Sequence, residues 1–326
     1  MLTALFVLTM SAAGPQATRV DSVTDAPITL KTSTGEIAGT LAIPATPGKH
    51  PIVLIIPGSG PTDRDGNSPI AVAPGKILRT DTYKLLAEAL GQAGIASVRY
   101  DKRGIGASSA AMPDHDESKY RFDTGIDDAA AWIKMLDADT RFSKVIVAGH
   151  SEGSLIGMVA AQRAKAEGFI SLEGPGRPAA DVLREQLTES GAPVAMFGPI
   201  LDSLSAGKTV DSTPPVLAAL FRLSVQPYLI SWFRYNPVTE LKKLPYATLV
   251  VQGTHDVQVT MKDAELLATA PGAKLLTIDG MTHVLKIGPA AAAAQVATVY
   301  TDPKVPLPPQ LVSAIVAYVR AAPQLR

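Results

Sequence analysis

The chain has 326 residues, of which 46% are hydrophobic and 18% are charged. This is enough apolar material for one large domain, or for one domain with an insert, and too little charge for a disordered chain. Thirty basic and thirty acidic residues cancel and no basic run stands out, so the composition disfavours nucleic acid as a partner. Because the chain contains no cysteine, disulfides, thiolate metal sites and cysteine nucleophiles are excluded.

The N-terminus predicts an export signal. A short apolar run over residues 2–10 is followed by small residues that offer a cleavage site at 11–13. The run is too short to span a bilayer, and no lysine or arginine precedes it. We expect residues 1–17 to be a signal peptide or an N-terminal apolar segment, and the protein to be periplasmic or secreted, with a cytoplasmic location as the alternative. A later apolar stretch, 216–234, is interrupted by polar residues and proline, so no stable membrane insertion is expected.

Strand and helix patterns alternate along most of the chain. Residues 28–33 and 35–44 predict two antiparallel strands joined by a tight turn. Continuous apolar runs predict buried strands, at PIVLIIPG, IASVRYD, KVIVAGHS, FISLEG, ATLVVQGTHD and AKLLTIDG. Helical spacing predicts the segments between and after them, at TYKLLAEALGQAG, 123–136, SLIGMVAAQRAKAEG, 263–270 and QLVSAIVAYVRAA. The alternation indicates an α/β fold, with a mostly parallel central sheet and helices on both faces.

Residues 179–236 break this alternation, because they show helical segments without a good strand. We expect them to form a helical cap over one end of the sheet, inserted between core segments 18–178 and 237–326. Aromatic side chains of the cap could line an apolar substrate pocket or form the cap's own core; they are Phe221, Tyr228, Trp232, Phe233 and Tyr235.

The stretch GHSEG, residues 149–153, fits the pattern G-x-S-x-G. A buried strand, VIVAG, runs directly in, and a helix, SLIGMVAAQRA, runs directly out. A sharp strand-to-helix turn strains the backbone of the serine and needs small neighbours, which Gly149 and Gly153 supply. The serine then projects from the carboxyl end of the sheet, where open α/β sheets bind ligands. The pattern predicts that Ser151 is a nucleophile.

A serine hydroxyl needs a base, and the base needs an orienting acid. His283 follows the strand AKLLTIDG, at the same end of the sheet as Ser151, and is the predicted base. Asp256 follows the strand ATLVVQG and is the predicted acid. Weaker candidate acids are Asp263, Asp279 and, in reserve at the end of the strand FISLEG, Glu173.

Acyl transfer also needs hydrogen-bond donors for the oxyanion. One predicted donor is the backbone amide of Glu152, at the start of the helix. The other should come from the loop PGSGPTDRDGN, in which Gly58 and Gly60 allow close approach, and the amide of Ser59 is our choice. Triad chemistry needs neither metal nor cofactor, so none is predicted.

The elbow, the order Ser–Asp–His, the oxyanion loop and the segment YDKRGIGAS together resemble serine α/β-hydrolases over residues 27–322. The motifs PGSGPTDRDGN, GHSEG, GTHDVQV and MTHVLK are similar to those of bacterial esterases. The resemblance implies an α/β-hydrolase fold, with Ser151 as nucleophile, Asp256 as acid and His283 as base. It also implies a charge network that braces the oxyanion loop, formed by Asp63, Arg64, Asp101 and Arg103.

The leading interpretation is therefore a carboxylic-ester hydrolase acting on a small-molecule ester. A peptidase of the aminopeptidase or oligopeptidase type remains an alternative, as does an acyl thioesterase, because the same triad cleaves all three acyl bonds. A non-catalytic binding protein on this fold is a further alternative. Such a protein would be expected to lose members of the triad, whereas this chain has all three.

Overall fold

A computed structural model describes residues 22–112, 114 and 116–321. The predicted signal segment, residues 1–17, lies outside the described residues, so export stays a prediction. In the described ranges no single helix is long and apolar enough to cross a membrane. One pair of helices, Pro215–Phe221 and Gln226–Phe233, meets that criterion only jointly, across a bend of 57°.

The central sheet has eight strands and is mostly parallel. Within the described residues the strands are β1 (Val23–Thr32), β2 (Gly35–Pro44), β3 (His50–Ile56), β4 (Ser68–Ala73), β5 (Lys76–Leu78), β6 (Ala96–Tyr100), β7 (Phe142–His150), β8 (Gly168–Leu172), β9 (Thr248–Gly253) and β10 (Ala273–Ile278). The sheet order is β1-β2-β6-β3-β7-β8-β9-β10. The β1–β2 and β2–β6 pairs are antiparallel and the other neighbours are parallel. The parallel strands therefore all end at one edge of the sheet.

Helices cover both faces of this sheet. In the described residues the α-helices are α1 (Thr82–Gln92), α2 (Phe122–Asp137), α3 (Glu152–Ala164), α4 (Ala179–Glu189), α5 (Val194–Ser205), α6 (Ala218–Phe221), α7 (Gln226–Phe233), α8 (Pro237–Leu241), α9 (Met261–Ala268), α10 (Ala292–Thr298) and α11 (Pro309–Ala321). Helices α1 and α11 contribute to one apolar cluster, and α2, α3 and α9 contribute to the other.

The strand β3 shows how the sequence produces these two layers. Its side chains alternate across the sheet, because successive residues of a strand point to opposite faces. Ile52, Leu54 and Ile56 belong to one cluster, and Val53 and Ile55 belong to the other, all fully buried. Burial on both faces explains the unbroken apolar run. Each such side chain contributes about 1.5–3 kcal/mol of stabilisation.

Residues 179–236 contain only helices and their connections. They have an apolar cluster of their own, built around Phe197, Leu201 and Leu204. Trp232 of this segment stacks on Phe122 of α2, with ring centroids 5.6 Å apart. The segment is therefore packed against the core while keeping a separate interior.

Two features differ from the sequence expectations. Strand β1 begins at Val23, before the predicted start at residue 28. The apolar pattern missed its first half because these residues are largely exposed and form no buried apolar run. Strands β4 and β5 form a separate antiparallel hairpin that no pattern predicted. Its Ile70 and Ile77 are about half exposed, so the hairpin has no alternation between a buried and a solvated face.

Candidate active site

Ser151 occupies the turn between β7 and α3 in a strained backbone conformation. Its φ and ψ are 54° and −123°, a combination that residues with side chains rarely adopt. A Cβ on Gly149 would lie 2.2 Å from the carbonyl oxygen of Gly153, and a Cβ on Gly153 would lie 2.4 Å from that of Ile56. Both flanking glycines are therefore required sterically, as the sequence predicted.

His283 and Asp256 form a buried pair. The imidazole Nδ1 of His283 lies 2.7 Å from Asp256 Oδ2. The other carboxylate oxygen, Oδ1, accepts hydrogen bonds from the backbone amides of Gln258 and Val259, at 2.7 and 2.9 Å. Burial raises the pKa of Asp256, but His283 and these hydrogen bonds outweigh it, so the pKa lies below its ordinary value. An ionised Asp256 holds the proton on Nδ1 of His283 and leaves Nε2 unprotonated, as the predicted base requires.

Ser151 and His283 face one cavity at the carboxyl edge of the sheet, with a volume of about 220 Å³. In the described residues the imidazole of His283 is hydrogen-bonded to Asp256 and not to Ser151. Hydrogen bonds between a nucleophile and its base are often long before substrate binds. The predicted nucleophile, base and acid thus converge from three strand ends.

His150, the residue before Ser151, is a structural histidine. Its Nε2 lies 2.7 Å from the carbonyl oxygen of His283, and its Nδ1 lies 2.8 Å from the hydroxyl of Tyr83. Burial lowers the pKa of His150 to about 3, so the ring is neutral. A carbonyl only accepts, so Nε2 carries the proton and Nδ1 accepts from Tyr83. The Tyr83 hydroxyl accepts in turn from the amide of Gly58, at 3.0 Å, so that the predicted oxyanion loop is linked through His150 to the backbone of His283.

Lys102 holds the oxyanion loop from the other side. Its Nζ donates a 2.5 Å hydrogen bond to the carbonyl oxygen of Gly58 and lies 3.7 Å from Glu152 Oε2. The C=O and N–H of a trans peptide point in opposite directions, so this bond also fixes the direction of the Ser59 amide. Together with Ser151, Ser59 and Glu152 line a second cavity, with a volume of about 540 Å³. This supports their predicted role as oxyanion donors.

The alternative acids are engaged elsewhere. Asp263 pairs with Arg177 at 2.7 Å, and Asp279 accepts from the Thr254 hydroxyl at 3.0 Å. Glu173 is fully buried, and burial together with the Asp256 carboxylate raises its pKa well above the ordinary value. Among these carboxylates, Asp256 is the one that is hydrogen-bonded to His283.

Only part of the predicted aromatic lining is present. Tyr228 and Trp232 line a cavity of about 540 Å³ between the cap and Ser151. Phe221 and Phe233 pack in the cap's apolar cluster, and the Tyr235 hydroxyl donates to Asp123. The prediction is corrected for these three residues, because Phe221 and Phe233, on short helices, pack in the cap interior and Tyr235, in the connection after α7, contacts α2.

The loop-bracing network has two separate parts. Arg64 pairs with Asp101 at 2.6 Å, whereas Arg103 pairs with Asp128 at 2.5 Å. Asp63 accepts the amide of Asn67 at 2.9 Å within the loop. The sequence patterns did not identify Tyr83 and Lys102, whose side chains hold the loop at Gly58. For Lys102, its position directly after the predicted strand IASVRYD could have indicated a place at the carboxyl edge of the sheet. In the described ranges, no group of three or more histidine, aspartate or glutamate side chains is arranged to hold a metal ion.

Sequence comparison finds similarity to hydrolases. A family model described as "Serine aminopeptidase, S33" matches residues 67–186, a stretch that includes Ser151 but neither Asp256 nor His283. The chain is 29% identical over 266 residues to esterase EstD of Thermotoga maritima. That alignment covers 77% of this chain and 58% of the relative, so the chain spans little more than half of the relative's length.

Comparison with solved structures identifies the fold. Est1E from Butyrivibrio proteoclasticus superposes with a TM-score of 0.57 at 18% identity, covering 90% of this chain and 99% of that one. An esterase from Pyrococcus furiosus superposes with a TM-score of 0.56 at 16% identity, covering 92% and 91%. Together with the mostly parallel eight-stranded sheet, these similarities confirm the predicted fold class: the chain has the α/β-hydrolase fold.

Proposed function

We propose that this protein is a serine hydrolase that cleaves carboxylic esters through an acyl-enzyme on Ser151. One arrangement carries the proposal: the imidazole of His283 is hydrogen-bonded to Asp256 at 2.7 Å and faces the same cavity as Ser151. Ser151 itself lies in a strained turn. The similarity to an esterase over most of the chain supports the same class.

In the proposed reaction, Nε2 of His283 takes the proton of Ser151 as the serine oxygen attacks the ester carbonyl. The amides of Ser59 and Glu152 stabilise the oxyanion. The imidazolium, held by Asp256, gives its proton to the departing alcohol, and the carbonyl re-forms as an acyl-enzyme. Water, activated by the same imidazole, then releases the acid and restores Ser151.

A peptidase is the second candidate, favoured by the description of the matching family model. An aminopeptidase must bind the positive amino terminus of its substrate, which calls for an unpaired carboxylate beside the nucleophile. The carboxylates that line the cavities at Ser151 and the adjoining space are Glu117 and Glu152. Glu117 pairs with Arg222, and Glu152 contacts Lys102 and accepts from Tyr228 at 2.5 Å. The paired state of both acids favours the esterase.

The test compares the protein with its Ser151→Ala variant on p-nitrophenyl esters and on aminoacyl p-nitroanilides. We expect ester turnover that the substitution abolishes, and anilide turnover far below it. Anilide turnover equal to ester turnover would favour the peptidase. Ester turnover unchanged in a folded Ser151→Ala variant would reject the assignment of the nucleophile.

A further inference from the structure

Two cavities of different size meet at Ser151. The larger, of about 540 Å³, lies between Ser151 and the cap. The smaller, of about 220 Å³, lies between Ser151, the β4–β5 hairpin and the loop of His283. Both are lined by Ser59, Gly60, Ile70, Ser151 and Gln258. An ester bound at Ser151 can therefore place its two halves in two distinct spaces.

The position of His283 decides which half occupies which cavity. In the proposed reaction the imidazole must protonate the departing alcohol, so the alcohol has to lie beside it. His283 lines the smaller cavity and is absent from the lining of the larger one. Glu152, the predicted oxyanion donor, lines the larger cavity. The alcohol therefore belongs on the hairpin side and the acyl group under the cap.

The larger cavity, assigned to the acyl group, has a mostly apolar wall. Its volume falls within the range of about 300–1,000 Å³ that is typical of ligand pockets. Side chains from three cap helices and their connections contribute to its wall, among them Val182, Leu183, Leu220, Leu229 and Trp232. Such a wall stabilises a long or bulky hydrocarbon group through the apolar area that it removes from water.

The alcohol side is small and is lined by several hydroxyl groups, of which those of Ser59, Ser68 and Tyr300 donate to no acceptor among the described residues. The hydroxyls of Thr80 and Thr82 donate to the backbone carbonyls of Gly66 and Val284, at 2.7 and 2.8 Å, so their hydrogens are already used. Tyr300 differs, because its hydroxyl accepts a 3.0 Å hydrogen bond from Gln258 and, within the described residues, donates to none. Burial raises the pKa of Tyr300, which keeps its proton in place.

We propose that the substrate is an ester of a bulky apolar acid with a compact alcohol that carries a second oxygen atom, and that Tyr300 donates a hydrogen bond to that oxygen. This inference rests on the proposed function. The cap then selects the acid, and Tyr300 selects the alcohol. A glycol or glycerol monoester has the required chemistry.

The test uses pairs of substrates that differ in one group. The 2-hydroxyethyl and propyl esters of octanoic acid have nearly the same shape, and only the first carries a second alcohol oxygen. We expect kcat/KM for the hydroxyethyl ester to exceed that for the propyl ester by about fivefold, the effect of one net hydrogen bond. Tyr300→Phe should abolish this preference, so that the ratio of kcat/KM for the hydroxyethyl ester to that for the propyl ester falls to about one.

The acyl side is tested in parallel with Leu183→Trp, at a half-buried position of the larger cavity. It should lower kcat/KM for propyl octanoate about tenfold or more relative to that for propyl acetate, because the added indole occupies the acyl space. The alcohol assignment is overturned if hydrolysis depends on Ser151 but shows no preference for the hydroxyethyl ester. It is also overturned if the Tyr300→Phe variant keeps that preference. Equal effects of Leu183→Trp on octanoate and acetate overturn the acyl assignment. No turnover of any ester would instead reject the proposed function.

Discussion

The buried carboxyl groups of Glu173 and Asp256 interact directly at the carboxyl edge of the sheet. Glu173 Oε1 accepts the amide of Gly253 at 2.9 Å, while Oε2 has no donor among the described residues. Two carboxylates cannot hydrogen-bond each other, but a protonated Glu173 can donate to an ionised Asp256. The raised pKa of Glu173 is thus consistent with a carboxyl group that donates to Asp256, and the lowered pKa of Asp256 with a carboxylate that pairs with His283.

This pairing predicts a stability that depends on pH. The pKa of Glu173 is raised by folding from an unfolded value of about 4.3, so the folded state binds more protons above that pH. The native protein should then lose stability relative to Glu173→Gln as the pH rises from 4 to 8, until the pH exceeds the pKa of Glu173 in the folded state. Urea unfolding at several pH values measures this difference.

The control for Glu173→Gln is Glu265→Gln, which removes an exposed carboxylate of α9. Because this side chain is exposed, its substitution should change stability by only a small amount at each pH measured. A constant difference between Glu173→Gln and the native protein over this range would contradict protonation of Glu173.

Asp256→Asn should remove most of the activity without unfolding the protein. The amide can still accept from Gln258 and Val259, but its NH₂ group favours the wrong tautomer of His283. We expect kcat to fall by about 10³–10⁴-fold, as measured on a p-nitrophenyl ester, with the melting temperature close to native. Asp279→Asn, at another strand end, should keep full activity, and a comparable loss there would reject the choice of acid.

Lys102→Met tests the orientation of the Ser59 amide. Met keeps the apolar stem but loses the donor to the Gly58 carbonyl, so kcat should fall about 10–100-fold with little change in KM. The substitution also leaves Glu152 without its cation, which destabilises the protein. The double variant Lys102→Met with Glu152→Gln should recover stability but not kcat. Recovery of both would show that Lys102 acts through stability alone.

Tyr83→Phe should destabilise the protein more than Tyr300→Phe does. Without its hydroxyl, Tyr83 leaves the Gly58 amide without an acceptor and His150 Nδ1 without a donor, and a buried unsatisfied group costs about 1–3 kcal/mol. Tyr300→Phe frees only the exposed Gln258 amide, which water can satisfy. Urea unfolding of both variants measures the difference, and equal stabilities would argue against the linkage through Tyr83.

The sequence by itself determined the parallel sheet, the turn at Ser151 and the strand-end positions of Asp256 and His283. These features are local: apolar runs mark buried strands, and two glycines mark a turn that no larger residue can form. Because parallel strands end at one edge, residues far apart in the chain could be placed together before any contact was known.

Only the tertiary structure decided the rest. The bond from Lys102 to Gly58, the linkage through Tyr83 and His150, and the contact of Glu173 with Asp256 join segments whose spacing carries no periodic signal. The cap illustrates the same limit, since Tyr228 and Trp232 face the cavity whereas Phe221 and Phe233 pack inside, on helices too short for a clear amphipathic pattern. The division of the space at Ser151 into two cavities also depends on how the cap and the β4–β5 hairpin pack around it. The sequence pattern of a single element does not predict a cavity, because cavity walls are formed by several elements together.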